Sequence, residues 1–148
     1  MTYLQWLDQT IAARVQSGAL GTAVFARVDL ELSADHGLLA PIAAAAVASA
    51  VRWLGGSARS LYAQGGVRQG MISVLVVTSS GATALISAAP SYGEASAHVL
   101  VTGQHGTLRW DDLPDPALLA ARPETAGPWQ AWIENSLSAG RALEGPPR

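Results

Sequence analysis

The side chains able to do chemistry in this sequence are few and scattered. An adjacent acid–base pair, Asp35-His36, precedes a long alanine-rich segment. Held in a cleft, such a pair can act as general acid and base. An Asp at a helix start also simply favours the helix, because its charge meets the positive end of the backbone dipole. His98 and His105 lie far along the chain, and the three histidines show no metal-ligand spacing. Arg27, Asp29 and Glu31 alternate, so on a strand they share one face. They would line a polar cleft or form a solvated ion-pair network. Tyr62, Gln64, Arg68 and Trp110 are residue types that bond to and stack on sugar-like ligands.

Other chemistries have no support. Ser79-Ser80-Gly81 lacks a partner base, and no Gly-x-Ser-x-Gly occurs. The chain has no cysteine, so it has neither disulfide nor thiolate metal site. All nine basic residues are arginines, and they are dispersed; net charge is −2. Neither nucleic acid nor an anionic membrane is the expected partner. No catalytic residue, metal or cofactor is assigned from these residues. Hydrophobic residues make up 49% and charged residues 14% of the 148. Such an apolar chain suggests that some surface is covered by another protein. The start of the chain has no basic segment leading into an apolar core, which fits a cytoplasmic protein. The longest apolar run, Leu38 to Val51, is shorter than the about 20 residues a bilayer needs and reads as a buried helix.

The elements that must position these residues follow from periodicity. Leu4, Leu7, Ile11 and Val15 recur at helical spacing, predicting a helix from Tyr3 to Ser17. Thr22 to Leu32 reads as a strand with Val24, Ala26, Val28 and Leu30 inward. The alanine-rich helix ends at Gly55-Gly56. A short strand at Ser60–Ala63 and a strong one at Gln69–Thr78 follow, then hairpins at Ala82–Ala88 and His98–Trp110. Asp111 to Pro128 is loop-rich, and a last helix covers Trp129–Ala139. This order predicts an α+β domain over 1–143, with a largely antiparallel open sheet, helices on one face, and a flexible tail at 144–148. The strand Met71–Val77 is apolar on both faces. That points to a chain–chain interface through Ile72, Val74 and Val76, joined by Ala45 and Ala48 of the small-residue helix.

The order of several motifs resembles the C-terminal domain of the Gfo/Idh/MocA oxidoreductases. Gly18-Ala19-Leu20-Gly21 resembles the turn that opens its first strand. Val101-Thr102-Gly103-Gln104-His105-Gly106-Thr107-Leu108 resembles its Val-x-Gly-x-x-Gly-x-Leu hairpin, and Trp132 to Arg141 its closing helix. Gly37 to Gly56 resembles the helix that carries that family's catalytic Asp and His, ending in Trp53-Leu54-Gly55. In this chain those reactive positions fall on Pro41, Ala45 and Ala48.

The resemblance implies a dihydrodipicolinate-reductase-like or glyceraldehyde-phosphate-dehydrogenase-like C-terminal fold. It argues against the activity. The sequence has no Gly-x-Gly-x-x-Gly loop to cradle a dinucleotide and no lysine to partner a histidine in proton transfer. The expectation is therefore a stand-alone, non-catalytic domain. It would act as a homo-oligomer or as accessory subunit of a full-length oxidoreductase. Two alternatives stand beside it. One is a sugar- or polyol-binding module built from Arg27, Asp29, Asp35, His36, Tyr62 and Arg68. The other is an enzyme of different chemistry using Asp35-His36.

Overall fold

The computed structural model describes residues 1–119 and 127–145. The first helix, α1 (Tyr3–Gln16), starts at a reciprocal cap. Thr2 Oγ1 accepts from the Gln5 backbone N–H, and Gln5 Oε1 accepts from that of Thr2. Two otherwise orphaned donors are thereby satisfied. Tyr3, Leu4, Leu7 and Ile11 form its buried face.

The strand β1 (Ala23–Glu31) buries Ala26, Val28 and Leu30 as their alternation predicts. Val24 breaks the expected pattern and is 41% exposed. The register shifts between Ala23 and Phe25, and this bulge rotates the start of the strand. A 3-10 turn (His36–Leu38) then leads into α2 (Leu39–Leu54). Together these make 19 residues, long and apolar enough to cross a membrane by length and composition. The length expectation is corrected to that extent, but 61% of the apolar window is buried within the protein. Ala43, Ala44, Val47 and Ala50 are fully buried. Their small side chains let α2 approach the sheet closely. Gly55 closes the helix in the left-handed conformation.

Five longer strands follow: β2 (Ala58–Gly66), β3 (Met71–Thr78), β4 (Thr83–Ala89), β5 (Ser96–Gly103) and β6 (Thr107–Asp112). β2 is longer than Ser60–Ala63 because its whole length pairs with β3. A short helix α3 (Pro116–Leu119), the helix α4 (Pro128–Ala139) and a two-residue strand β7 (Leu143–Glu144) complete the described chain. Much of the expected loop is thus structured, and residues 120–126 of it lie outside the described residues. Only the start of the expected tail is described. Glu144 pairs with Ser60 in β7, while 146–148 lie outside the described residues.

The sheet order is β6-β5-β1-β4-β3-β2-β7. Among the described residues only the β1–β4 pair is parallel. The crossover through α2 supplies that pair, since parallel neighbours cannot be joined by a tight hairpin. The helices lie on one face, with α2 over β1, β3 and β4, and α4 over β2. α1 packs beside α2 and reaches β6 through Trp6 and Trp110. This is the expected α+β architecture. Gly103 is required at the β5–β6 turn. A Cβ there would lie 2.2 Å from the Leu20 carbonyl oxygen, which accepts from the His105 N–H.

Candidate functional site

The opposite face of the sheet carries no helix among the described residues. Pairing register sorts its side chains into rows that run across the strands. One row reads Arg109, Leu100, Arg27, Leu85, Leu75, Tyr62 from β6 to β2. The next reads Asp111, His98, Asp29, Ser87, Ser73, Gln64.

The polar end of these rows is a network. Arg27 Nε donates to Asp29 Oδ2 at 3.0 Å, and Arg109 Nε donates to Asp111 Oδ2 at 3.0 Å. His98 Nδ1 lies 2.8 Å from Asp111 Oδ1. The hydrogen bond from His98, then that from Arg109, holds the Asp111 carboxyl below the usual carboxylate range. These groups frame a shallow cavity of about 290 Å³. By its spacing from the other two histidines, His98 gives no metal-ligand set. Its partnership with Asp111 was nevertheless readable, because a hairpin closed by Thr102 and Thr107 sets 98 opposite 111.

The apolar end is made by Leu75, 40% exposed, and Met71, 46% exposed, with Phe25, Val77 and Leu85 half-buried between strands. Here the expected interface residues need correction. Ile72, Val74 and Val76 are almost fully buried under the helices. β3 is apolar in both phases, so its sequence concealed which phase faces inward. Ala45 and Ala48 are half-buried on the outer side of α2, away from this face.

Asp35 and His36 do not form a dyad. Asp35 Oδ1 accepts from the Gly37 N–H at 2.9 Å and caps the 3-10 turn. His36 Nδ1 lies 3.1 Å from the Val67 carbonyl oxygen, and an oxygen without a proton makes this nitrogen the donor. The other ring nitrogen, Nε2, lies 2.5 Å from the Tyr92 hydroxyl. Arg68 is exposed in the same β2–β3 turn as Val67. The six candidate residues therefore divide. Arg27, Asp29 and Tyr62 stand on the open face, while Asp35, His36 and Arg68 stand at loops. Even Arg27 and Tyr62 are three strand spacings apart, about 14 Å. Tyr62 instead accepts from Gln64 Nε2 at 2.6 Å. Trp110 does not face a ligand cleft either. It lies under α1, 6.2 Å from the Trp6 ring, with the Arg14 guanidinium 4.8 Å over its own ring.

Among the described residues no group of His, Asp and Glu forms a metal-binding set. On α2, Pro41, Ala45 and Ala48, where the resemblance places reactive groups, carry side chains that cannot take or give a proton. The β1–α2 crossover does not fit a dinucleotide. It has one glycine rather than a glycine-rich loop, and the Asp35 carboxylate already occupies the Gly37 N–H. A pyrophosphate there would meet a negative charge where helix termini otherwise bind anions.

This fold is found in solved dehydrogenases. A probable dehydrogenase from Thermotoga maritima superposes with a TM-score of 0.72 at 12% identity, covering 95% of this chain and 62% of its own. A scyllo-inositol dehydrogenase from Lactobacillus casei, with bound NAD(H) and scyllo-inositol, gives 0.71 at 11% identity, covering 96% and 63%. A myo-inositol dehydrogenase from Corynebacterium glutamicum gives 0.71 at 13%, covering 95% and 62%. No protein-family model and no curated relative matches the sequence. The fold is that of the C-terminal domain of Gfo/Idh/MocA-type dehydrogenases. The chain spans about 62% of the length of these structures.

Proposed function

We propose that this chain is a non-catalytic, oxidoreductase-like domain that works by assembly, joining a second copy through the open face of its sheet. The exposure of Leu75 and Met71 beside half-buried Leu85, on a face that no helix covers among the described residues, carries this reading. An apolar patch of this kind is costly in water and is relieved by association. The absence of a proton-transferring side chain at Pro41, Ala45 and Ala48 supports the non-catalytic part. The dinucleotide of the neighbours is not assigned to this chain, because the β1–α2 crossover does not suit a pyrophosphate. Light scattering on the wild type and on the double variant Leu75→Glu, Leu85→Glu tests the reading. A wild-type dimer and a folded, monomeric variant are expected. Equal masses for the two proteins would overturn it.

A further inference from the structure

β6 is the outer strand at one end of the sheet. The Gly103 N–H donates to the Gly106 carbonyl oxygen, which fixes the alternation of the β5–β6 ladder. Leu108 and Trp110 therefore exchange hydrogen bonds with Val101 and Val99. Thr107, Arg109 and Asp111 turn their N–H and C=O groups the other way, out of the sheet. Among the described residues these outward groups have no hydrogen-bond partner. The opposite edge is better covered, because β7 pairs with Ser60 and Leu61 of β2 and Ser136 takes the Ala63 N–H.

A free edge is a template for another strand unless its side chains oppose pairing. On β6 the charges select a register. We infer that β6 pairs antiparallel with β6 of a second copy, about a two-fold axis at Trp110 and perpendicular to the sheet. Arg109 then stands opposite Asp111 of the second copy, and Asp111 opposite its Arg109. Both pairs are of the hydrogen-bonded kind, so the outward groups of Arg109 and Asp111 are satisfied. Half-buried Trp110 meets its own counterpart at the close position between them, where aromatic pairs are favourable.

Neighbouring registers lose this match. An axis at Arg109 sets the two arginines against each other, and one at Asp111 sets the two aspartates together. Like charges directly opposite are destabilising. An axis at Leu108 leaves Arg109 opposite Thr107 without a charge partner. The bonds within one chain leave room for the second copy. Arg109 uses only Nε toward its own Asp111, so its terminal nitrogens remain for another carboxylate. One strand is a small contact of the transient class, so it joins copies only where they are crowded. It is separate from association through the open face, and its axis leaves both open faces on the same side.

The Leu75→Glu, Leu85→Glu background removes the sheet-face contact, so the edge is read alone. Sedimentation equilibrium of that protein should show a weak dimer, with Kd on the order of millimolar. Adding Arg109→Glu, or Asp111→Arg, should weaken it at least tenfold with unchanged circular dichroism. Mixed one to one, these two variants should recover the association, which also shows that both are folded. A register check uses the absence of native cysteine. Under mild oxidation Trp110→Cys should cross-link to itself faster than Arg109→Cys or Asp111→Cys. Fastest cross-linking of Arg109→Cys or Asp111→Cys would overturn the register. No association of the background protein at these concentrations, or charge variants that associate as it does, would overturn the edge pairing itself. Neither result bears on the wild-type dimer through the open face.

Discussion

Tyr3, at the first turn of α1, donates a 2.8 Å hydrogen bond to Asp112 Oδ2 at the end of β6, 109 residues away. This bond ties the first helix to the edge strand of the sheet. Tyr3 is 2% exposed. Burial first, then the bond to Asp112 and its charge, push the phenol far above its ordinary value near 10. The unfolded chain ionises at the ordinary value, so the contribution of Tyr3 is complete below pH 10. It is lost as pH rises above that, because the unfolded state releases a proton the folded state retains. Urea midpoints between pH 8 and 11 should therefore fall at the alkaline end. Tyr3→Phe should flatten that fall and lower stability at pH 8 by about 1 to 2 kcal/mol. An unchanged alkaline slope in the variant would exclude Tyr3 as its cause.

Ser136 holds the other end of the sheet. Its hydroxyl accepts from the Ala63 N–H at 2.9 Å and donates to the Arg141 carbonyl at 2.8 Å. The side chain is fully buried. Ser136→Ala leaves both partners without it, and a buried unsatisfied donor costs about 1 to 3 kcal/mol. Thermal unfolding should show a loss in that range, and amide exchange at Ala63 should accelerate. Retained protection at Ala63 would refute the role.

Two glycines make a matched test of backbone packing. At Gly103 a methyl group would collide with the Leu20 carbonyl. At Gly18, with φ of 83°, nothing lies within 4 Å of the added carbon. Gly18→Ala should cost about 1 kcal/mol, the ordinary penalty for a left-handed alanine. Gly103→Ala should cost more than that, because the β5–β6 turn must move away from β1. Reversed thermal shifts would show that the approach at Gly103 is easily relaxed.

Dinucleotide binding is a direct check on the non-catalytic reading. Titration with NADH, followed by nicotinamide fluorescence, should give no saturable change. Saturable micromolar binding would contradict the unsuitability argued for the β1–α2 crossover. Asp35→Ser would then show whether removing the resident carboxylate strengthens that binding.

Much of this fold is legible in the sequence, and the exceptions have local causes. Helical spacing of Leu4, Leu7 and Ile11 and the alternation of Ala26, Val28 and Leu30 carry enough contrast to orient α1 and most of β1. Val24 departs because a bulge adds a residue that alternation cannot register. β3 has too little contrast, since Met71, Leu75 and Val77 in one phase match Ile72, Val74 and Val76 in the other. Ser73 is the single polar marker, and it does fall on the open face. Asp35 and His36 are neighbours in sequence that turn to different partners. His98 and Asp111 are distant in sequence and meet through hairpin register. Adjacency in sequence therefore does not report contact, because the sheet rather than the chain sets it on the open face.

The most direct measurement is the wild-type molar mass by light scattering across a dilution series. The account predicts twice the chain mass of 15.3 kDa at high concentration, with reversible dissociation on dilution. A mass of one chain at every concentration would contradict assembly through the open sheet face.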